Sequence, residues 1–203
     1  MEKNVIITIS RQFGSNGREI ARKLAEYLDI SYYNKQILEK IAVNMGICAD
    51  FFKDQEQDEN GLFTIESKGL LGLRNITELS VNTQIYDMAS DFIQKISQRE
   101  DAVIVGRCAD YIFRDHRNVL NIYIYAPVDA RYKNCVEVLK MKPEEATKMI
   151  YKVDKARTAY HKRYAKYAPG DPDSKQIMID SSMLGVRGTA EILAEIVQKR
   201  FGL

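Results

Sequence analysis

The apolar positions from Val5 to Ile9 form a nearly continuous β-branched run, the pattern of a strand covered on both faces, as in a parallel sheet. The run stops at Ser10 and a glycine-containing loop follows. From Gly17 the period changes: Ile20, Leu24 and Leu28, with Ala21 and Ala25 beside them, recur at helical spacing. The opening unit is therefore strand, glycine loop, helix.

Further along, the pattern predicts a short extended piece at Ser31-Tyr32-Tyr33 and a helix through Ile37, Ile41 and Met45. A long helix is expected over Ser80 to Gln98, with Ile85, Met88, Ala89, Phe92 and Ile96 on its buried face. Ala102 to Val105 and Leu120 to Tyr125 read as buried strands and Asp129 to Leu139 as a helix. Pro143 suits the first turn of another helix, with Glu144 and Glu145 near its positive end. Gln176 to Ile179 gives a last short strand, and Ala190, Leu193, Val197 and Phe201 mark a closing amphipathic helix. Strands alternating with helices imply a three-layer α/β domain, with ligands at the carboxyl ends of the strands.

Length and composition fit this picture. A chain of 203 residues with 45% hydrophobic and 29% charged residues suits one globular domain, 1–203. The segment 49–79 differs: Phe51-Phe52 runs into a charged tract and then Gly61, Gly69 and Gly72, which reads as a partly helical insertion. The first apolar run is too short for a membrane span and carries no signal-peptide pattern, so the expected location is cytoplasmic, with no membrane partner. Cys48, Cys108 and Cys135 are widely spaced and make no Cys-x-x-Cys pair, which points to buried thiols rather than a disulfide framework or a zinc site.

Charge sharpens the functional reading. The net charge is only +2, but residues 131–166 hold 11 Lys/Arg against 4 Asp/Glu. That stretch is built to meet an anion. It carries no nucleic-acid-binding motif, and the small net charge argues against a nucleic-acid partner.

The loop after the first strand supplies the chemistry. Phe13-Gly14-Ser15-Asn16-Gly17-Arg18-Glu19 offers small residues whose backbone N–H groups wrap a phosphate, at the positive end of the helix that follows. Against Gly-x-x-x-x-Gly-Lys-Ser/Thr, Gln12 stands for the first glycine, Arg18 for the lysine and Glu19 for the hydroxyl residue. Arg18 still brings charge to phosphate oxygens, in bidentate fashion. Glu19 either binds metal or caps the helix.

Ile-Thr-Ile-Ser-Arg-Gln-Phe-Gly-Ser-Asn-Gly-Arg-Glu-Ile-Ala at 7–21, Tyr-Tyr-Asn-Lys at 32–35 and Val-Ile-Val-Gly-Arg at 103–107 together resemble the cytidylate kinase-like family. Gly170-Asp171-Pro172 and Asp180-Ser181-Ser182-x-Leu184-Gly185-Val186 fit it too. The resemblance implies an α/β, three-layer P-loop NTPase fold of nucleoside monophosphate kinase type. It implies a five-stranded parallel sheet, a helical acceptor-binding insertion within 49–79 and a basic lid within 140–170. It implies an ATP-dependent phosphotransferase, with ATP as phosphoryl donor, Mg²⁺ as cofactor and a nucleotide or similar small phosphorylated molecule as acceptor.

Carried over by position, Gly14, Ser15, Asn16, Gly17, Arg18 and Glu19 would hold the ATP phosphates. Asn34 and Arg107 would hold the acceptor, and Arg157 and Arg163 would belong to the lid. Arg18, Arg131 and Arg157 are the candidate catalytic cations, since phosphoryl transfer is catalysed mainly by positioning and charge neutralisation.

The chain also departs from the family. Val105 and Cys108 stand where cytidylate kinases carry aspartates, and the Thr-Gly-Ala-x-Tyr-Arg acceptor motif is missing after Asn34. The first change takes away an expected metal ligand, and together they leave the acceptor's identity open. The oligomeric state is open too. The competing reading is a catalytically inactive nucleotide-binding or regulatory protein with a degenerate P-loop.

Other residues have plainer explanations. Asp154 stands three residues before Arg157 as a helical ion-pair partner, and the isolated His116 and His161 lack ligand spacing. Tyr160, Tyr164 and Tyr167 form a packing stripe, and the Cys108 thiol is expected to be inert.

Overall fold

The computed structural model describes residues 4–34 and 74–203, without the side chains of 74–82, 84 and 85. The helix expected through Ile37 to Met45, and the insertion up to residue 73, lie outside the described residues.

The first apolar run forms β1 (Ile6–Arg11), two residues longer at its carboxyl end than the apolar pattern indicates. After the loop come α1 (Gly17–Leu28), β2 (Ser31–Tyr33) and α2 (Arg74–Ser97). β3 (Ala102–Val105) has the expected bounds, and a single-turn helix α3 (Ala109–Ile112) follows it. β4 (Val119–Tyr125), α4 (Val128–Glu137) and α5 (Pro143–Ala165) continue the chain. A 3-10 turn at Pro172–Ser174 leads to β5 (Ile177–Asp180) and the closing helix α6 (Gly185–Phe201).

The five strands form one parallel sheet in the order β2-β3-β1-β4-β5. Its faces follow the strand period of two. Ile7 and Ile9 of β1, Val103 and Val105 of β3 and Ile122 and Ile124 of β4 join Ile20 and Leu24 of α1 and Leu193 and Val197 of α6 in one buried cluster. Ile6, Ala102, Ile104 and Val119 point the other way, into a second cluster with Ile93 and Ile96 of α2 and Phe113. Three layers result. Because both faces are covered, the strands carry few polar residues, and the buried Thr8 hydroxyl is satisfied by donating to Asn121 Oδ1 at 2.7 Å.

Two expectations shift. α2 starts at Arg74 rather than Ser80, and its buried stripe runs through Ile93 and Ile96 while Met88 is exposed. The region 140–170 is dominated by one helix, α5, with Pro143 in its first turn as predicted.

Candidate phosphate site

The loop between β1 and α1 is clamped from behind by its carbonyl groups. Ser15 Oγ donates to the carbonyl of Gln12 at 2.9 Å, and Arg131 Nη1 donates to that of Phe13 at 3.3 Å. Asn134 Nδ2 donates to the carbonyl of Gly14 at 3.0 Å, and Ser181 Oγ to that of Ser15 at 2.7 Å. In a planar trans peptide the C=O and the following N–H point in opposite directions. The N–H groups of Gly14, Ser15 and Asn16 therefore each point away from the donor on the preceding carbonyl. Left-handed backbone at Gly14 (φ 78°) and Asn16 (φ 58°) curves the loop. The loop leads into the positive end of α1, where an anion is favoured.

Gly14 is favoured by packing as well as by φ, since a Cβ there would lie a tight 3.0 Å from the carbonyl oxygen of Arg131. Asp154 of α5 completes the clamp, accepting from Phe13 N at 2.7 Å and pairing with Arg131. Asp154 thus serves Arg131 and the loop more closely than Arg157, whose Nη1 is 4.0 Å away.

Two cavities open at the carboxyl ends of β1 and β3. One, about 200 Å³, lies over the loop and is lined by Gly14, Asn16, Gly17, Arg18 and Asn134, with Leu139 at its edge. The other, about 190 Å³, lies against Val105, Gly106, Arg107, Tyr160 and Pro169. Arg11, Arg18 and Arg157 line both.

Arg11 lines both cavities although sequence reasoning assigns it no role. It is the last residue of β1, inside the 7–21 segment that carries the family resemblance but outside the phosphate-loop motif. Its side chain runs through space left by two glycines: a Cβ on Gly17 would lie 2.6 Å from Arg11 Cβ, and one on Gly106 would lie 2.7 Å from Arg11 Nη1. Burial, then the nearby charges of Arg157 and Arg18, hold its pKa well below the ordinary arginine value. Arg157 is also lowered, first by burial, with Arg18 contributing. Close like charges cost on the order of a few kcal/mol per pair at intermediate dielectric. An anion between them turns that cost into attraction.

The expected residues divide clearly. Arg157 reaches both cavities from α5, donating Nη1 to the carbonyl of Arg11 at 3.1 Å. Arg18 is exposed at the mouth of both. Arg107 is 9% exposed and lines the second cavity, on a turn in which Gly106, Arg107 and Cys108 all have positive φ (80°, 58° and 53°). Gly14, Asn16 and Gly17 present backbone, whereas the Ser15 hydroxyl is turned inward against Gln12 and Ile124.

Arg131 is 5% exposed and lies beneath the loop, bound to Phe13 and Asp154, outside both cavities. Arg163 lies over the ring of Tyr164 at 5.7 Å, and Asn34 Nδ2 donates to Tyr32 Oη at 3.2 Å; neither lines either of these two cavities. Tyr160 belongs to the tyrosine cluster, 4.8 Å from Tyr164 between centroids, and also walls the second cavity.

Behind Arg107 lies a buried polar network invisible to motif reasoning. Asp110 accepts from Lys175 Nζ at 2.6 Å, from His161 Nε2 at 3.0 Å and from Tyr167 Oη at 3.2 Å. His161 Nδ1 lies 2.9 Å from the carbonyl of Tyr167. Burial opposes the Asp110 charge, but His161 and Lys175 override it and bring its pKa down to about 2. The Cys108 thiol is pushed up by burial and by Asp110, in keeping with an unreactive role.

The cavity linings among the described residues do not fit a Mg²⁺ ion held by carboxylates. Among the described residues, Glu19 is the one carboxylate lining either cavity, and it pairs with Arg22 at 3.2 Å on the exposed face of α1. Nor is any group of three or more His, Cys, Asp or Glu among them placed to hold a metal. No helix among the described residues is long and apolar enough to cross a membrane.

The described geometry agrees with known proteins. An uncharacterized protein from Eubacterium ventriosum ATCC 27560 is 27% identical, with a TM-score of 0.73 over 98% of this chain and 100% of that one. A shikimate kinase from Bacteroides thetaiotaomicron superposes with a TM-score of 0.52 at 10% identity, over 98% of this chain and 99% of that one. One from Acinetobacter baumannii gives 0.51 at 11%, over 98% and 96%. These last two share the P-loop kinase fold. No curated protein sequence matches the chain. The family model described as the cytidylate kinase-like family matches residues 6–183, and the chain belongs to that family.

Proposed function

We propose that the protein is an ATP-dependent phosphotransferase acting on a nucleotide or a similar small phosphorylated acceptor. The observation that carries this reading is the pair of adjoining cavities sharing Arg11, Arg18 and Arg157. The loop cavity suits the donor phosphates, which meet backbone N–H groups and the positive end of α1. The second suits an acceptor phosphate, met by Arg107.

In transfer, the bond from the terminal phosphorus to the bridging oxygen breaks and that oxygen keeps the electron pair. An acceptor phosphate oxygen, already deprotonated, forms the new bond. The shared arginines stand where charge passes between the two, so their work is to gather the phosphates and neutralise them. α5 acts as the lid element, carrying Arg157 to the loop.

A coupled ADP-release assay across nucleoside monophosphates and other phosphorylated small molecules tests this. At least one acceptor should stimulate release. Nucleotide binding without stimulation by any acceptor would replace this reading with that of an inactive nucleotide-binding protein.

A further inference from the structure

We infer that Arg11 takes over, at the donor phosphates, the charge that a protein-held divalent metal supplies in other P-loop enzymes, so that this chain binds a nucleoside triphosphate without Mg²⁺. The inference rests on the donor-site reading above. In P-loop NTPases the metal is held by a hydroxyl residue at the start of the helix and by a strand-end aspartate. Here the first position is Glu19, 52% exposed in its side chain and paired with Arg22. The strand end is Val105, 1% exposed, followed by Gly106.

The strand-end position presents no oxygen ligand, and the Glu19 carboxylate, which borders the loop cavity, is paired with Arg22 on the exposed face of α1. What stands at the end of β3 instead is a guanidinium: Arg11 Nη1 occupies the space directly over Gly106, where a Cβ would approach it to 2.7 Å. The position is built rather than incidental. Gly17 clears the stem of the Arg11 side chain, Gly106 clears its tip, and Arg157 fixes its backbone through the Arg11 carbonyl. With Arg18 and Arg157 beside it, Arg11 lies in the seam between the cavities.

A planar guanidinium offers fixed donors to two phosphate oxygens at once. Mg²⁺ bound to a triphosphate cancels two of its negative charges and occupies oxygens that the arginines would otherwise contact. A site lined by guanidiniums, whose one bordering carboxylate is paired with Arg22, therefore gains little from the ion. Burial and the neighbouring arginines also depress the Arg11 pKa, so an anion placed beside it would be attracted by charge that the protein alone leaves poorly compensated.

Isothermal titration of ATP, without acceptor, into the full chain in EDTA and in Mg²⁺ decides the matter. The affinity of the wild type in EDTA should be higher than in Mg²⁺, or lower by no more than about threefold. Arg11→Ala should lose about tenfold or more in EDTA and less in Mg²⁺, so that binding becomes metal-dependent. Arg11→Lys, which keeps charge but not the fork, should fall between them.

If Arg11→Ala does not fold, Gly106→Ala provides the second route, because its methyl displaces the guanidinium and should shift the metal dependence in the same direction. Wild-type binding weaker by more than about threefold in EDTA overturns the inference. So does an Arg11→Ala protein that folds with unchanged affinity in EDTA. Absence of ATP binding in both conditions is a different result: it removes the donor-site reading and this inference with it.

Discussion

The two turns that the proposed function assigns to donor and acceptor phosphates are held in opposite ways. The loop Gln12–Gly17 is anchored through its own backbone, each carbonyl from Gln12 to Ser15 accepting a side-chain hydrogen bond. The turn Gly106–Cys108 carries three consecutive left-handed residues, two of them not glycine. It is backed by one buried ion network around Asp110, in the helix that follows it. Left-handed non-glycine residues each cost on the order of 1 kcal/mol or more and persist where surrounding structure over-determines them. The donor loop is therefore supported by many modest bonds, and the acceptor turn by a few large ones. Loss of one group should be graded in the first region and abrupt in the second.

The sharpest break is expected at Asp110. Asp110→Asn leaves Lys175, whose side chain is fully buried, without its carboxylate, and takes the charged partner from His161. Removing one member of a buried pair costs about 3–5 kcal/mol, because the other charge stays desolvated. Urea denaturation should show a loss of that size. In the surviving folded fraction, acceptor affinity should fall more than donor affinity. An Asp110→Asn, Lys175→Met double variant should recover part of the stability, since no buried cation is then stranded.

This contrast explains what the sequence revealed. The donor loop is local: glycines, a strand before it and a helix after it lie within one short segment, so Phe13 to Glu19 are readable as a phosphate loop. The sheet is readable for the same reason, because both-face burial writes itself into β1, β3 and β4 as apolar runs. The supports are not local. Asp110 meets His161 and Lys175 across 51 and 65 positions, and Arg131 meets Asp154 across 23. Spacing rules see neighbours at three or four residues, which is why they pair Asp154 with Arg157 and not with the loop. Arg11 is hidden differently, since its role depends on room left by Gly106, on a strand that is adjacent only after folding.

The next effect belongs to the donor side. Asp154→Ala removes the acceptor for Phe13 N and strands Arg131, which is itself buried. Asp154 is a quarter exposed, so solvent offsets part of the loss and a cost of about 2–3 kcal/mol is expected. Titration calorimetry should show weaker ATP binding with the acceptor turn little changed. Equal losses at both sites would break the division between the two regions.

Acid tests the acceptor side without mutation. The folded pKa of Asp110, about 2, lies below the ordinary carboxylate value near 3.8, so its ionised form favours the folded state. That stability is fully present above about pH 4 and is lost as pH falls through about 2. It is worth roughly 2 kcal/mol, because each tenfold difference in proton affinity between the folded and unfolded chains is about 1.4 kcal/mol. Denaturation midpoints measured between pH 5 and pH 2 should fall in the wild type, and this component should vanish in Asp110→Asn.

The smallest expected effect is at Ser181, where the donor loop meets the end of β5. Its hydroxyl donates to the carbonyl of Ser15 at 2.7 Å and lies 3.1 Å from that of Tyr125. Ser181→Ala leaves the Ser15 carbonyl without this donor but adds no charge and little volume change, so about 1 kcal/mol of stability should be lost. The Ser15 hydroxyl still ties the loop to Gln12 and β4, and Asn134 still holds Gly14. ATP affinity should therefore fall only a few-fold, roughly the equivalent of that 1 kcal/mol. A collapse of binding would show that the peptide from Ser15 to Asn16 governs the whole turn, and that the donor loop is as abrupt in its failure as the Asp110 network.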